Sequence, residues 1–397
     1  MSNNAYGKND AKMRVCMLVY SFYENDNRVL RYAETLIKRG DQVDVVALRR
    51  KGQSRRDQLR GANIFRIQKR KANEHNEFIY LYRLTKFFIK SSILLTINHI
   101  RKPYDFIHVH NMPDFLVFAA FFPKIFGARV ILDIHDIVPE LYTTKFKHGD
   151  ESLLLKAILF AEKISTFFSD HVIIANHIWY KTITSRSVDE KKCTVIMNYP
   201  DENIFFKRPK SRMDDKFIMI YPGSLNWHQG VDIAIKACAI IKNKVSAEFH
   251  IYGEGGSFVS LQNLIQELGL QDMVFLKGSL PIYEVANKMA NADLGIEPKR
   301  NELFSGNALS TKIMEFMTLS IPVIVSDTRI HRYYFNNSAV TFFKPDDEHD
   351  LARCMLLLIN DADLRTEMCQ NNSRFVEDFV WSKRKEEYLK LVDQITQ

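Results

Sequence analysis

Apolar residues along this chain come in short unbroken runs, each followed by a longer stretch with helical spacing. RVCMLVY (Arg14 to Tyr20) is a continuous apolar run of the kind a strand shows when both of its faces are buried. A helix is predicted from about Asp26 to Arg39, with Gly40 as its stop. QVDVVAL (Gln42 to Leu48) and NIFRIQ near Asn63 read as the next two strands. After a long helix, DFIHVH (Asp105 to His110), ARVILDIH (Ala128 to His135) and HVIIAN (His171 to Asn176) continue the series. Repetition of strand and helix in this order predicts a doubly wound, mostly parallel sheet.

The rhythm breaks around Asn198. MNYPDENIFFKRPKSRMDDK is rich in Pro, Lys and Asp and has no period, as a linker would be. From Phe217 the alternation resumes with FIMIYPG, AEFHIYGEG, MVFLKG and ADLGIEP, separated by helical stretches. NALSTKIMEFMTLSIPVIVS (Asn307 to Ser326) follows, as a polar turn, a short helix with Lys312 and Glu315, and a strand from Pro322 to Val325. WSKRKEEYLKLVDQITQ, from Trp381, reads as a final amphipathic helix. Two Rossmann-like halves with a cleft between them follow from the pattern.

Length agrees, since 397 residues exceed one ordinary core. Apolar content of 46% and charged content of 26% fit a globular protein and exclude a disordered or fibrous one. Five scattered cysteines show no metal-ligand spacing, which suits a reducing cytosol and argues against disulfides and structural zinc. MSNNAYGKNDAK at the start lacks the apolar centre of a signal peptide. No apolar run approaches the ~18 residues a membrane span needs. The net charge of +8 is uneven, with basic residues crowded between Arg49 and Lys71 against the lone acid Asp57. That run suits an anionic lipid, a nucleic acid or a polyphosphate, or is a solvated loop. Ile79 to Arg101 is a predicted helix with Arg83, Lys86 and Lys90 on one face and Phe87, Phe88, Ile89 and Leu94 interleaved. It reads equally as a membrane-surface helix or a domain helix with a wet basic face.

In open parallel sheets, ligands bind beyond the carboxyl ends of the strands. There the first half offers Ser21 to Arg28, His108, His110, Asp133, His135, Asp136 and Glu140. The second half offers Gly223-Ser224, Gly253-Glu254-Gly255, Lys277-Gly278, Glu297 to Glu302, and Asn307 to Glu315. The GEGG turn does not extend to G-x-G-x-x-G, which counts against a nicotinamide dehydrogenase.

Taken in order, these segments resemble glycosyltransferase family 4, the retaining group with the GT-B fold, over nearly the whole chain. YENDNRVLRYAETLIKRGDQVDVVALR is similar to the opening of a bacterial polysaccharide subgroup with an Asp-x-Arg-Val element. DFIHVHNMPDFL resembles the family's His-x-His strand end, RVILDIHDIVPELY its acidic loop, and MNYPDENIF its Asn-x-x-Asp interdomain turn. YPGSLNWHQGVDIAIKA resembles the Gly-led donor loop, IYGEGG the next glycine turn, and NALSTKIMEFMTLSIPVIVS the nucleotide-binding helix. The resemblance implies an acceptor domain over 1–205, a nucleotide-sugar domain over 206–378, and a helix over 379–397 packing back on the first domain. Two departures stand out. The family's first glutamate is Asn307 here, leaving Glu315 as the second. The Arg and Lys of the donor loop are Ser224 and Gln229, so Lys299, Arg300 and Lys312 are the nearest replacements for the phosphate charge.

Glu315 is then expected to hold the ribose hydroxyls, and Gly223, Ser224, Gly253, Glu254, Lys299, Asn307 and Lys312 to line the donor. His110 is expected near the anomeric centre, with Asp136 polarising the acceptor hydroxyl. His108 is expected on the opposite face of its strand, in a structural role. The implied reaction takes a sugar from a nucleoside diphosphate to a glycan, carried on a polyprenyl diphosphate or similar lipid, at the cytoplasmic side of a membrane. No metal and no other cofactor is implied, because no Asp-x-Asp cluster ends a strand. Two other readings compete. A nucleotide-sugar epimerase of the same fold would want paired acids, which Asn307 breaks. A nucleic-acid binder using the basic run would want a recognition motif, and none is present.

Overall fold

A computed structural model describes residues 12–70, 77–146 and 152–397; the opening segment up to Ala11, and Lys71 at the end of the basic run, lie outside the described residues. The chain divides into two compact units, Met1–Met197 with Lys385–Gln397, and Asn198–Arg384. The first division falls inside the predicted linker, eight residues before the expected boundary at 205/206. The second falls inside the last helix, Trp381–Thr396, rather than before it.

Among the described residues the first unit holds strands β1 (Arg14–Val19), β2 (Gln42–Arg49), β3 (Arg56–Leu59), β4 (Ala62–Lys69), β5 (Phe106–His110), β6 (Arg129–Ile134), β7 (His171–Ile174) and β8 (Cys193–Val195). Their order is β3-β4-β2-β1-β5-β6-β7-β8, parallel throughout except that β3 runs antiparallel to β4. The sheet is doubly wound because the chain works outward from β1 in one direction, then returns and works outward in the other from β5. Both faces of its central strands are covered, which is why Val15 to Val19 and Phe106 to His110 are buried without interruption.

The Asn27–Arg39 helix starts where the Asp26 side chain accepts from the Val29 N–H at 3.2 Å and stops at Gly40, whose φ of 106° few other residues adopt. The basic run is not the open loop it resembles. Its second half is the β3–β4 hairpin, and Arg66 is buried, paired with Glu24 and Asp57. The Glu77–Arg101 helix keeps Lys86 and Lys90 outward as expected, with apolar residues beside them. Phe87 is fully buried against Tyr20 at 5.0 Å between ring centroids, Arg83 is half-buried, and the exposed face carries Ile89, Ile93 and Ile97 beside Lys86 and Lys90.

In the second unit β9 (Phe217–Pro222), β10 (Ala247–Tyr252), β11 (Val274–Leu276), β12 (Leu294–Glu297), β13 (Val323–Ser326) and β14 (Thr341–Phe343) form a fully parallel sheet ordered β11-β10-β9-β12-β13-β14. Relative to the first strand this is the 3-2-1-4-5-6 order of dinucleotide-binding sheets. The Thr311–Thr318 helix joins β12 to β13 and buries Ile313, Met314, Phe316 and Met317. It lies close to the sheet because Gly295 in β12 has no side chain; a Cβ there would stand 2.7 Å from the Phe316 ring.

Gly295→Ala should therefore lift this helix off the sheet and cost about 1–3 kcal/mol, as overpacking does. Urea denaturation of the variant reads the cost as a lower midpoint. An unchanged midpoint would mean that the helix is not held at this spacing.

Candidate functional site

Strand order reverses between β9 and β12 in the second unit, and a ligand crevice forms at such a reversal. Beyond β9 the chain turns at Gly223 and Ser224; beyond β12 it leaves Glu297 at the strand end with Lys299 close behind. Lys312, from the helix after β12, reaches under this turn. Its Nζ is 2.8 Å from Glu297 Oε2, 3.3 Å from the Tyr221 hydroxyl and 3.4 Å from Gln229 Oε1, and lies over the Tyr221 ring. A Cβ at Gly223 would lie 3.0 Å from that Nζ, so glycine is what lets the turn rest on the ammonium. Tyr221 donates to the Ser224 carbonyl at 2.9 Å and fixes the turn from below.

Burial works to raise the Glu297 carboxyl, but Lys312 and then Lys299 outweigh it and hold the group below its ordinary range. Burial works equally against the Lys312 ammonium, and Glu297 more than restores it, so the lysine stays charged well above neutrality. The expected basic candidates are thus anchored by the protein itself. Lys299 donates to the Ala308 carbonyl at 2.9 Å, and Arg300 pairs with Asp232 at 2.6 Å and with Asp346 while stacking on Trp227.

Other expected donor residues have local duties. Gly253 packs on protein backbone: a Cβ there would collide with the Gly223 carbonyl at 1.7 Å. The Glu254 side chain is exposed, and its carbonyl accepts from the Leu225 N–H. Asn307 donates through Nδ2 to the Leu303 carbonyl at 2.9 Å. Glu315 is half-buried, between the buried positions Met314 and Phe316 of its helix.

In the first unit the reversal lies between β1 and β5. His110 ends β5, but it is fully buried and faces the core: its Nδ1 donates to Asp133 Oδ2 at 3.0 Å, and Nε2 abuts the Met17 sulfur. Arg28 grips both oxygens of Asp133, at 2.7 Å and 2.6 Å, and donates to the Ile196 carbonyl. Burial would raise the Asp133 carboxyl; Arg28 and then His110 hold it well below the usual range instead. His110, expected near the anomeric centre, is thus fully enclosed by protein groups in this structure. The expected place of His108, on the opposite face, is corrected. Residues two apart on a strand share a face, and the two imidazoles lie 4.2 Å apart, His108 sharing a 3.0 Å hydrogen bond with the Tyr388 hydroxyl. Ligand atoms of His108, His110 and Asp133 come within 4.8 Å of one another. A metal fits poorly there, because the Arg28 guanidinium already takes both carboxylate oxygens.

A second polar cluster, largely buried, lies beside these residues at this end of the sheet. Asn111 Nδ2 donates to Asp114 Oδ1 at 2.9 Å and to the Asp136 carbonyl at 2.6 Å, and its Oδ1 accepts from the His135 N–H at 3.1 Å. Arg186 bridges Glu140 and Glu162, each at 2.7 Å, so Glu140 is held and not available to polarise a hydroxyl. His135 and Asp136 are half-exposed beside them. Asn111, Asp114 and Arg186 escaped the sequence reading. Only their position after a strand or in the next turn could have marked them.

Two family profiles cover most of the chain. The one described as Glycosyltransferase Family 4 matches residues 26–202, and Glycosyl transferases group 1 matches residues 203–375. An uncharacterized glycosyltransferase of Methanocaldococcus jannaschii is 26% identical over 309 residues, 74% of each chain. The O-antigen biosynthesis glycosyltransferase WclY of Escherichia coli is 24% identical over 61% of this chain and 66% of its own. Across the first curated relatives, the match spans from 42% to 74% of the relative's length. Among solved structures, HepE of Anabaena, in complex with UDP and glucose, superposes with a TM-score of 0.73 at 15% identity, covering 96% of this chain and 100% of that one. These likenesses agree with the two Rossmann-like units of the GT-B architecture.

Asp114 carries a pH signature. Burial pushes its carboxyl up to about 7, the Asn111 hydrogen bond offsetting only part of the rise. It is therefore protonated in the fold and ionised in the unfolded chain between about pH 4 and 7, so its presence costs folding progressively more as pH climbs through that window. Asp114→Asn should raise the urea midpoint at pH 8 and change it little at pH 4. An equal change at both would mean that Asp114 titrates as an ordinary surface carboxylate.

Proposed function

Because the chain belongs to glycosyltransferase family 4, we propose that it moves a sugar from a nucleoside diphosphate held on the second unit to a hydroxyl of a glycan received by the first. One observation carries the donor assignment: Lys312 rises beneath the Gly223–Ser224 turn at the sheet's reversal, with Glu315 one helical turn further along the same helix. The ammonium would meet diphosphate charge, and the carboxylate would accept from both ribose hydroxyls. Lys312 takes over from the missing Lys at Gln229, whose side chain it touches. Its counter-ion Glu297 keeps it protonated when no donor is bound. With Lys299 nearby, this positive charge would do at the diphosphate what a divalent metal does in other transferases, and no cofactor is invoked.

The departing diphosphate, stabilised by Lys312 and backbone N–H groups, would assist attack on the same face of the sugar, giving retention. No protein nucleophile is required. On the acceptor side the half-exposed pair His135 and Asp136 is better disposed than His110 to touch a hydroxyl. A uridine nucleotide is the favoured donor, on the likeness to HepE, and a surface polysaccharide carried on a polyprenyl diphosphate is the favoured acceptor, on the likeness to WclY. The reaction would run in the cytoplasm against the inner face of the cell membrane.

Thermal-shift titration with UDP-, GDP- and other sugar nucleotides tests the donor site. One base class should stabilise the protein. Glu315→Ala should weaken that binding at least ~10-fold, since hydrogen bonds to a charged group contribute roughly 1.5–3 kcal/mol each. Undiminished stabilisation in Glu315→Ala would remove the helix from the donor site.

A further inference from the structure

The first unit leaves an unusual amount of apolar side chain in water. On the Glu77–Arg101 helix the exposed positions Tyr82, Lys86, Ile89, Ile93, Ile97 and Ile100 recur at steps of three and four, one continuous stripe down the outer face. The Leu153–Phe168 helix repeats the arrangement, with Leu153, Phe160 and Phe167 outward; Leu153 and Phe167 are each 85% exposed. The segment Asp114–Ile125 packs between them and presents Phe121 and Ile125. Ring contacts stitch the three together, Phe88 to Phe115 at 6.1 Å and Phe118 to Phe168 at 5.0 Å. The outward residues thus form one contiguous face. Ordinary monomers rarely leave more than a few hundred Å² of contiguous apolar surface uncovered.

Charge on this face has one sign. Lys86, Lys90, Lys156 and Lys163 are exposed among the apolar residues. The acids among the described side chains of these three segments, Asp114 and Glu162, are both buried. Two copies of the chain meeting symmetrically through this face would bring like charges together. An anionic leaflet would neutralise them. No helix among the described residues is long and apolar enough to cross a membrane. The combination of outward aliphatic and aromatic residues with interspersed lysines is that of a surface lying at a lipid interface.

We propose that the face built from Glu77–Arg101, Asp114–Ile125 and Leu153–Phe168 docks on an anionic lipid leaflet. Phe160, Phe167, Ile93 and Ile100 reach the acyl boundary while the lysines sit among the headgroups. The docking stands apart from the donor assignment and survives its failure.

Co-sedimentation of the full chain with phosphatidylglycerol–phosphatidylcholine vesicles tests it, with phosphatidylcholine alone as control. The protein should pellet with the mixed vesicles, less at high salt, and weakly with the neutral ones. Phe160→Asp with Phe167→Asp should lower the bound fraction by roughly tenfold or more, since two large side chains lose their burial. Lys156→Glu with Lys163→Glu should abolish the preference for anionic vesicles. Both pairs are exposed, so the melting temperature and donor-induced thermal shift should stay at wild-type values. No pelleting with mixed vesicles, or wild-type pelleting by the double Asp variant, overturns the proposal. So does a stable dimer in solution that the double Asp variant dissociates, which would make a second copy the occupant.

Discussion

A carboxylate buried at the end of a parallel strand must bring its own cation, and each unit is built around one such pair. In the first, Asp133 at β6 is held by Arg28 from the helix after β1, so one ion pair ties together strands either side of the sheet's reversal. In the second, Glu297 at β12 is held by Lys312 from the helix that follows it. Stripping water from these groups costs several kcal/mol per ion, and only close pairing with further hydrogen bonds offsets it. Removing one member leaves the other stranded, at a cost near 3–5 kcal/mol. The same arrangement serves different ends. Both Asp133 oxygens are taken and the pair is sealed, whereas Lys312 lies under a glycine turn that leaves one side of it uncovered by side chain.

The fold was largely legible because a strand buried on both faces must be mostly apolar, and the central strands of both sheets are, apart from functional-looking polar residues such as His108, His110 and Glu297. What escaped were β3, β8 and β14. RDQL is polar and exposed, and three-residue edge strands carry too little pattern to register. The Glu77–Arg101 helix was recognised as a helix with Lys86 and Lys90 outward, but which of its apolar residues meet the core was not. It is apolar nearly all round, so periodicity could not say which face meets the core. Only packing distinguishes Phe87, at zero exposure, from Ile89 two residues later, at 51%.

The site was less legible, for a different reason. Residue type and strand-end position pointed to Lys312, Glu315 and the two histidines, but a side chain's role depends on partners remote in sequence. Arg28 and Asp133 lie 105 residues apart, and nothing local marks His110 as their companion. His135, which has surface access, lies just past the end of the neighbouring strand, two residues beyond His110's register partner Asp133. A strand end lists candidates; burial chooses among them.

Tyr388, midway along the last helix, packs against Tyr32 and bonds to His108 at the centre of the first unit. In sequence it follows the whole of the second unit. The core of the first unit is therefore completed by a segment that lies, in sequence, beyond the second unit, so the two units are not separable by cutting the chain at one point.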